Sequence, residues 1–246
     1  MKIITTVFIL ASMFVSTLEV KRIPDIAHDG LVGRVRLIRE YRFFETRERP
    51  DYKSELFKRL KGSPYLTISY NEKGDMTEQS YLHGPPKIVY NYDAEGNRTV
   101  NQWFDGRGTN SGRPEYPVPG RPYKEEYEYD AFGRRVEMLI KEVPYRWHAV
   151  YSYDGKGRLD EEHLYSLKGE GSLIRRILYT YYTNGTLKQE MWHGGSGLLE
   201  DELSYSDHEY DSRGNWIIRK EVRHQHYDKN MPAHQTYWAY REITYY

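Results

Sequence analysis

The chain has 246 residues, with 36 basic and 36 acidic side chains and no cysteine. This balance excludes a global electrostatic attraction to nucleic acid or to an anionic membrane, and the lack of cysteine excludes disulfides, thiol catalysis and cysteine-ligated metal. The 25 tyrosines, in a chain of only 38% hydrophobic content, favour β-structure with half-exposed strands. A buried tyrosine ring keeps a hydroxyl that can be hydrogen-bonded.

Residues 1–18 have the features of a secretory signal peptide. Lys2 precedes an uncharged run that lasts until Glu19, and this run is too short and too rich in serine and threonine for a stable transmembrane helix. The cleavage position is left open, and an N-terminal anchor or a buried first helix is the alternative. We therefore expect a secreted, periplasmic or cell-surface protein with no stable membrane span after signal removal.

The next region, residues 19–67, is expected to join the sheet that follows. Apolar and charged residues alternate at 33–44, which predicts a strand. Residues 53–61 predict one or two helical turns.

Six copies of one phrase organise the domain at 68–246. In every copy a tyrosine stands four residues before a glycine, and an aspartate usually follows that tyrosine. The glycines are Gly74, Gly96, Gly133, Gly157, Gly185 and Gly214, and the aspartates are Asp93, Asp130, Asp154 and Asp211.

This phrase predicts a strand followed by a tight hairpin turn. Aspartate at the first turn position caps the backbone, and glycine at the fourth supplies a positive φ. A second aromatic or apolar residue stands two positions before the tyrosine, so both side chains share one face of the strand, which we expect to point inward.

The six copies resemble the YD repeats, also called RHS repeats, and the chain is similar to small secreted bacterial proteins of that family. The segment GNWIIR at 214–219 and the terminal REITYY are similar to the usual ending of those proteins. The resemblance implies an all-β fold of consecutive antiparallel hairpins that form a curved, partly open barrel-like or spiral sheet. The strand at 33–44 and the last strand at 239–246 are expected to protect its two edges. The resemblance implies no catalytic residue.

Two groups of residues are candidate contacts for a ligand or a partner. Tryptophans in outgoing strands form stacking platforms if they are exposed and core if they are buried, and the core interpretation is preferred. A Gly/Pro-rich loop at 105–122 carries arginine and tyrosine side chains, and a simple linker is the alternative. The candidates are Trp103, Trp192, Trp216 and Trp238 in the strands, and Arg107, Arg113 and Tyr116 in the loop.

Metal and catalytic sites are not favoured by these patterns. One carboxylate per turn indicates capping rather than calcium binding, and the histidines at 224–234 indicate a polar face rather than a zinc site. Adjacent acids such as Glu161 and Glu162 point to opposite sides of a strand and are interpreted as part of the solvent side. We therefore expect no metal, no cofactor and no enzymatic activity.

The sequence favours an exported, non-catalytic binding or surface-interaction protein. Its expected partner is a polysaccharide or another surface protein, and not nucleic acid. A transmembrane barrel is disfavoured because strands such as YKEEYEY at 123–129 lack an apolar lipid-facing side. A structural envelope component, and after it a hydrolase or metal-dependent enzyme, are the alternatives.

Overall fold

The fold is given by a computed structural model that describes residues 24–44, 51, 62–82, 87–94, 96–103, 123–141, 146–167, 171–226 and 234–246. The signal peptide at 1–18, the helical turns at 53–61 and the loop at 105–122 lie outside these residues. The described chain forms one short helix, α1 (Asp25–His28), and fourteen strands. The strands are β1 (Val35–Phe44), β2 (Leu66–Tyr70), β3 (Met76–Tyr81), β4 (Lys87–Tyr92), β5 (Arg98–Trp103), β6 (Tyr123–Tyr129), β7 (Arg135–Ile140), β8 (Trp147–Tyr153), β9 (Leu159–Ser166), β10 (Leu173–Tyr181), β11 (Leu187–Gly194), β12 (Leu199–Tyr210), β13 (Trp216–Gln225) and β14 (His234–Tyr245).

The strands form a closed antiparallel barrel in which each strand pairs with its neighbours in the sequence. The prediction of an all-β fold of consecutive hairpins is confirmed, but the prediction of a partly open or spiral sheet is wrong. The first and last strands, expected to protect opposite edges, pair with each other from Val35 opposite Tyr245 to Phe44 opposite Tyr237. Closure leaves the sheet without free edges.

The six repeat turns have the predicted geometry. The glycines have φ values between 79° and 90°, and each donates its N–H to the carbonyl of the residue three positions earlier. In the turn before β9, Oδ1 of Asp154 accepts hydrogen bonds from the backbone N–H groups of Lys156 and Arg158. Its other oxygen binds the Arg158 guanidinium at 2.7 Å. The hydrogen bond from Arg158 lowers the pKa of Asp154 to about 2. Turn capping, rather than calcium binding, therefore accounts for this aspartate.

The motif tyrosine links each hairpin to the preceding one. The hydroxyl of Tyr153 donates to the carbonyl oxygen of Arg135 at 2.6 Å, and that of Tyr181 donates to Leu159 at 2.7 Å. Each acceptor lies two residues after the turn glycine of the hairpin before it. The Arg158 guanidinium also lies 4.3 Å from the centre of the Tyr181 ring. The hydroxyl thus links successive hairpins in these copies, whereas in the first copy the Tyr70 hydroxyl donates to Asp29 of the N-terminal segment.

The segment at 24–34, which contains α1, lies at the end of the barrel that carries the repeat turns. Asp25 is 1% exposed and forms an ion pair with Arg135 at the start of β7. Further along the segment, the Val32 N–H donates to Oδ1 of Asn215 at 2.7 Å, in the turn before β13. The segment is thus attached to widely separated strands of the ring. No helix in the described part of the chain is both long enough and apolar enough to cross a membrane.

An apolar core lies at this same end of the barrel. It combines one residue of the N-terminal segment with inward side chains from β1 to β4. Its buried members are Leu31, Val35, Ile38, Ile68, Tyr70, Met76 and Tyr90.

Charged side chains lie on the outer face of the barrel from β3 to β10. They form ion pairs between neighbouring strands, which contribute about 0.2–1 kcal/mol each when exposed. The pairs are Lys87 with Glu78, Lys141 with Glu126, and Arg176 with Glu161. Charged residues thus alternate with the inward-pointing residues of the same strands.

Candidate functional site

The inner wall carries a cluster of arginines and glutamates where the barrel closes. Glu40 on β1 is 1% exposed and accepts hydrogen bonds from Nε of Arg241 at 3.0 Å and Nε of Arg42 at 3.2 Å. Glu221 on β13 pairs with Arg219 at 2.5 Å and with Arg42 at 3.3 Å. We call these five residues the arginine sector. Its ion pairs join β1, β13 and β14.

Three guanidinium groups and two carboxylates make up the arginine sector, and each has an ion-pair partner within it. Burial alone would raise the pKa of Glu40, but the charges of Arg241, Arg42 and Arg219 hold that pKa below its usual value. The indole of Trp216 packs beside this cluster, with its ring centre 3.6 Å from the Arg241 guanidinium carbon. The arrangement stabilises the closure of the barrel through charges that already have partners.

A second inner-wall cluster lies on β9 to β12 and has a different composition. The Tyr179 hydroxyl donates to Glu162 at 3.2 Å, and the Tyr205 hydroxyl donates to Glu190 at 2.7 Å. The indole N–H of Trp192 donates to the other oxygen of Glu190 at 3.1 Å. We call these five residues the carboxylate sector. Neither glutamate forms an ion pair with another residue that the structure describes.

Both carboxylates of this sector affect the pKa of the Tyr179 hydroxyl. Burial raises the pKa of Tyr179, and the negative charges of Glu162 and Glu190 raise it further. The pKa of Glu162 is also raised, by burial and by the charge of Glu190, against the opposing hydrogen bond from Tyr179 and the opposing charge of Arg175. The sector can therefore accept hydrogen bonds from a ligand through its carboxylates and offer aromatic faces beside them.

The structure brings together only some of the predicted contact residues. Trp192 belongs to the carboxylate sector and Trp216 adjoins the arginine sector, so both line the inside of the barrel rather than an outer stacking surface. Trp238 is 9% exposed and is opposite Phe43 in the ladder between β1 and β14. The side chain of Trp103, together with Arg107, Arg113 and Tyr116 of the loop, lies outside what the structure describes. Their role as ligand contacts stays a prediction.

Two of the histidines considered for zinc lie side by side. Nδ1 of His234 is 3.0 Å from Nε2 of His224 on the neighbouring strand. In the described residues, no group of three or more histidine, aspartate or glutamate side chains is arranged to hold a metal ion. His226 at the end of β13 is exposed.

The sequence analysis did not identify Glu162 and Glu190 as inward-facing residues, although the period of two along their strands indicates it. Adjacent acids were interpreted as solvent-facing, but Glu161 forms its ion pair on the outer face while Glu162 points inward. Glu162 and Glu190 stand two residues before Leu164 and Trp192, and the period of two in a strand places each pair on one face.

Together the fold and the inner wall define an up-and-down β-barrel with a charged, tyrosine-rich interior. No family model and no curated protein matches the chain. Among solved structures, it is similar to a porin-like protein from Bacteroides uniformis, with 11% sequence identity and a TM-score of 0.45. The match covers 87% of this chain and 99% of that one. A similarity this distant carries no functional argument.

Proposed function

We propose that this chain is an exported binding protein that takes a polyhydroxylated ligand, a carbohydrate, against the inner wall of its barrel. The carboxylate sector supports this proposal. Sugar hydroxyls donate to carboxylates such as Glu162 and Glu190, and the apolar C–H face of a sugar ring stacks on an aromatic face such as that of Trp192. Carboxylates and aromatic rings lie together on this part of the inner wall.

The width of the barrel supports an interior site. Eight strands enclose an interior that side chains just fill, whereas 16 to 18 strands leave an aqueous channel. Fourteen strands lie between these cases. The side chains of Glu162, Tyr179 and Trp192 are each only partly buried, as expected of groups that line a space rather than fill a core.

Export, a cell-surface or periplasmic location and membership of the YD-repeat family remain part of the proposal. The six turns of identical hydrogen-bonding pattern support the family. The ion pair between Arg176 and Glu161, within β10 and β9 on the outer face, supports a barrel that does not face lipid, because charges on a lipid-facing wall are costly. A surface protein is the alternative partner to a polysaccharide.

The binding proposal is tested by retention of the mature protein on a panel of soluble and insoluble polysaccharides, peptidoglycan included. We expect retention by at least one member, and loss of retention in a Trp192→Ala variant whose circular dichroism spectrum is unchanged. Met191→Ala is the matched control, because Met191 is the preceding residue on the opposite face of β11. Retention that is equal in both variants would contradict the site, and no retention on any member would favour a structural envelope protein.

A glycoside hydrolase is the second candidate, because two carboxylates that converge in one site are what that chemistry requires. Release of reducing ends from the retained polysaccharide, abolished by Glu162→Gln or Glu190→Gln, would establish it. Retention without release would support the non-catalytic function.

A further inference from the structure

Acidic side chains of the inner wall differ in their partners. Among the residues that the structure describes, five acidic side chains pair with an arginine. These pairs are Glu40 with Arg241, Glu221 with Arg219, Glu125 with Arg98, Asp25 with Arg135, and Asp201 with Arg223. Glu162 and Glu190 differ from these five, because their described hydrogen-bond donors are the neutral hydroxyls of Tyr179 and Tyr205 and the indole N–H of Trp192.

One arginine of this wall, Arg175, partly offsets the negative charge of Glu162, but burial and the charge of Glu190 still keep the pKa of Glu162 raised. Arg175 on β10 stacks on Trp192, with its guanidinium carbon 5.0 Å from the ring centre. It forms no ion pair with Glu162 or Glu190 among the described contacts. Two like charges on one partly buried wall repel each other, and removal of each from water is costly without a counter-charge. A bound cation would relieve both costs.

The aromatic groups around the carboxylates independently suit a cation. Tyr151 and Tyr179 are neighbours of Glu162 on β8 and β10, and Tyr205 and Trp192 bond to Glu190. Aromatic faces attract cations through their ring quadrupoles, and cages of several such rings recognise ammonium groups. Arg175 on Trp192 shows that this wall already holds one cation in that way.

We propose that the ligand of the carboxylate sector bears an ammonium group, as an amino sugar does, held between Glu162 and Glu190. The proposal rests on the proposed carbohydrate binding and names the class of sugar. The ammonium donates hydrogen bonds to the carboxylates while the sugar ring lies against the aromatic side chains. A neutral N-acetylated sugar makes the stacking contacts but supplies no counter-charge.

Calorimetric titration with a glucosamine oligosaccharide and with its N-acetylated counterpart tests this proposal. At about pH 6 an amine of ordinary pKa is protonated, so the two ligands differ in charge. We expect the glucosamine form to bind at least about tenfold more tightly, as a desolvated cation among aromatic rings and carboxylates should. Glu162→Gln and Glu190→Gln should each abolish most of this preference. Glu161→Gln is the matched control, on the outer face of β9, and should retain it.

The outcomes separate this proposal from the proposed function. Equal binding of the two oligosaccharides by the wild-type protein overturns the ammonium proposal and leaves carbohydrate binding intact. The same conclusion follows if the protein binds neither oligosaccharide but is retained on another polysaccharide in a way that depends on Trp192. Binding of neither and no retention on any polysaccharide overturns both. The preference for the glucosamine form is measured on the wild-type protein. The proposal can therefore be overturned even if Glu162→Gln fails to fold.

Discussion

The arginine sector and the carboxylate sector lie on different strands of one inner wall, and their glutamates have different partners. In the arginine sector, Glu40 and Glu221 are nearly inaccessible and each contacts two arginines. In the carboxylate sector, Glu162 and Glu190 are bonded by neutral donors and remain partly exposed. The first arrangement is complete without a ligand and joins the strands that close the barrel. The second leaves negatively charged carboxylates that can accept hydrogen bonds from a ligand.

Tyr205 on β12 marks the boundary between the two sectors. Its hydroxyl donates to Glu190, while its ring lies 4.1 Å from the guanidinium carbon of Arg219. Tyr205 therefore contacts residues of both sectors. Experiments that separate their roles must alter residues on either side of Tyr205.

The largest effect is expected from a break in the arginine sector. Glu40→Gln keeps the shape of the side chain but leaves Arg241 and Arg42 with one charge partner fewer in a buried site. Removal of one member of a buried ion pair costs about 3–5 kcal/mol. We expect a loss of this size in the free energy of unfolding, measured by urea denaturation. Glu190→Gln in the carboxylate sector should cost far less, because it leaves no arginine without its partner.

An exposed ion pair provides the control for this comparison. Arg176→Gln removes the outer partner of Glu161 and should cost less than about 1 kcal/mol, with the difference reduced further by salt. Equal losses for Glu40→Gln and Arg176→Gln would show that the arginine sector does not stabilise closure.

The sequence was sufficient to predict the hairpins because their determinants are local. A tyrosine, a turn aspartate such as Asp154 and a glycine such as Gly157 lie within five residues, and each acts through its own backbone neighbourhood. Closure of the barrel could not be predicted from such local determinants. It depends on pairing of β1 with β14, and Glu40 and Arg241, which bond across that pairing, are about 200 residues apart in the sequence.

The candidate site was only partly predictable for the same reason. The period of two places Glu162 and Glu190 on the inner face of their strands, but it does not show that β9 and β11 flank Tyr179 on a curved wall. Nor does it distinguish a glutamate that meets an arginine from one that meets a tyrosine. Those partners come from the register between strands, which the repeat spacing alone does not determine.

A smaller effect is expected from loss of the hydrogen bond between successive hairpins. Tyr181→Phe deletes the hydroxyl that donates to Leu159 and keeps the ring against Arg158. Loss of one such hydrogen bond costs about 1 kcal/mol, and urea denaturation should register that difference. Tyr165→Phe is the control, because its hydroxyl is 3.5 Å from His163 and makes at most a weak bond. Similar losses in both variants would contradict a specific role for the motif tyrosine.

The smallest effect concerns the pH dependence of stability at Glu162. The pKa of Glu162 in the folded protein is raised above its ordinary value of 4.5. Protonated Glu162 therefore stabilises the fold below that pH, and this contribution is lost as the pH rises through the folded pKa. At neutral pH the wild-type protein carries the cost of the ionised group. Glu162→Gln should then be more stable than the wild type, and the difference should vanish below about pH 4.5.

Glu161, one residue away on the outer face, should show the opposite trend. The hydrogen bond from Arg176 lowers the pKa of Glu161, so its ionised form stabilises the fold above its ordinary pKa. That contribution is lost as the pH falls through the folded value. Glu161→Gln should therefore be less stable than the wild type at neutral pH and approach it in acid. Urea denaturation of both variants across this pH range compares the two faces of β9 directly. Parallel curves for the two variants would mean that Glu162 is not an uncompensated charge, and the contrast between the two sectors would then fail.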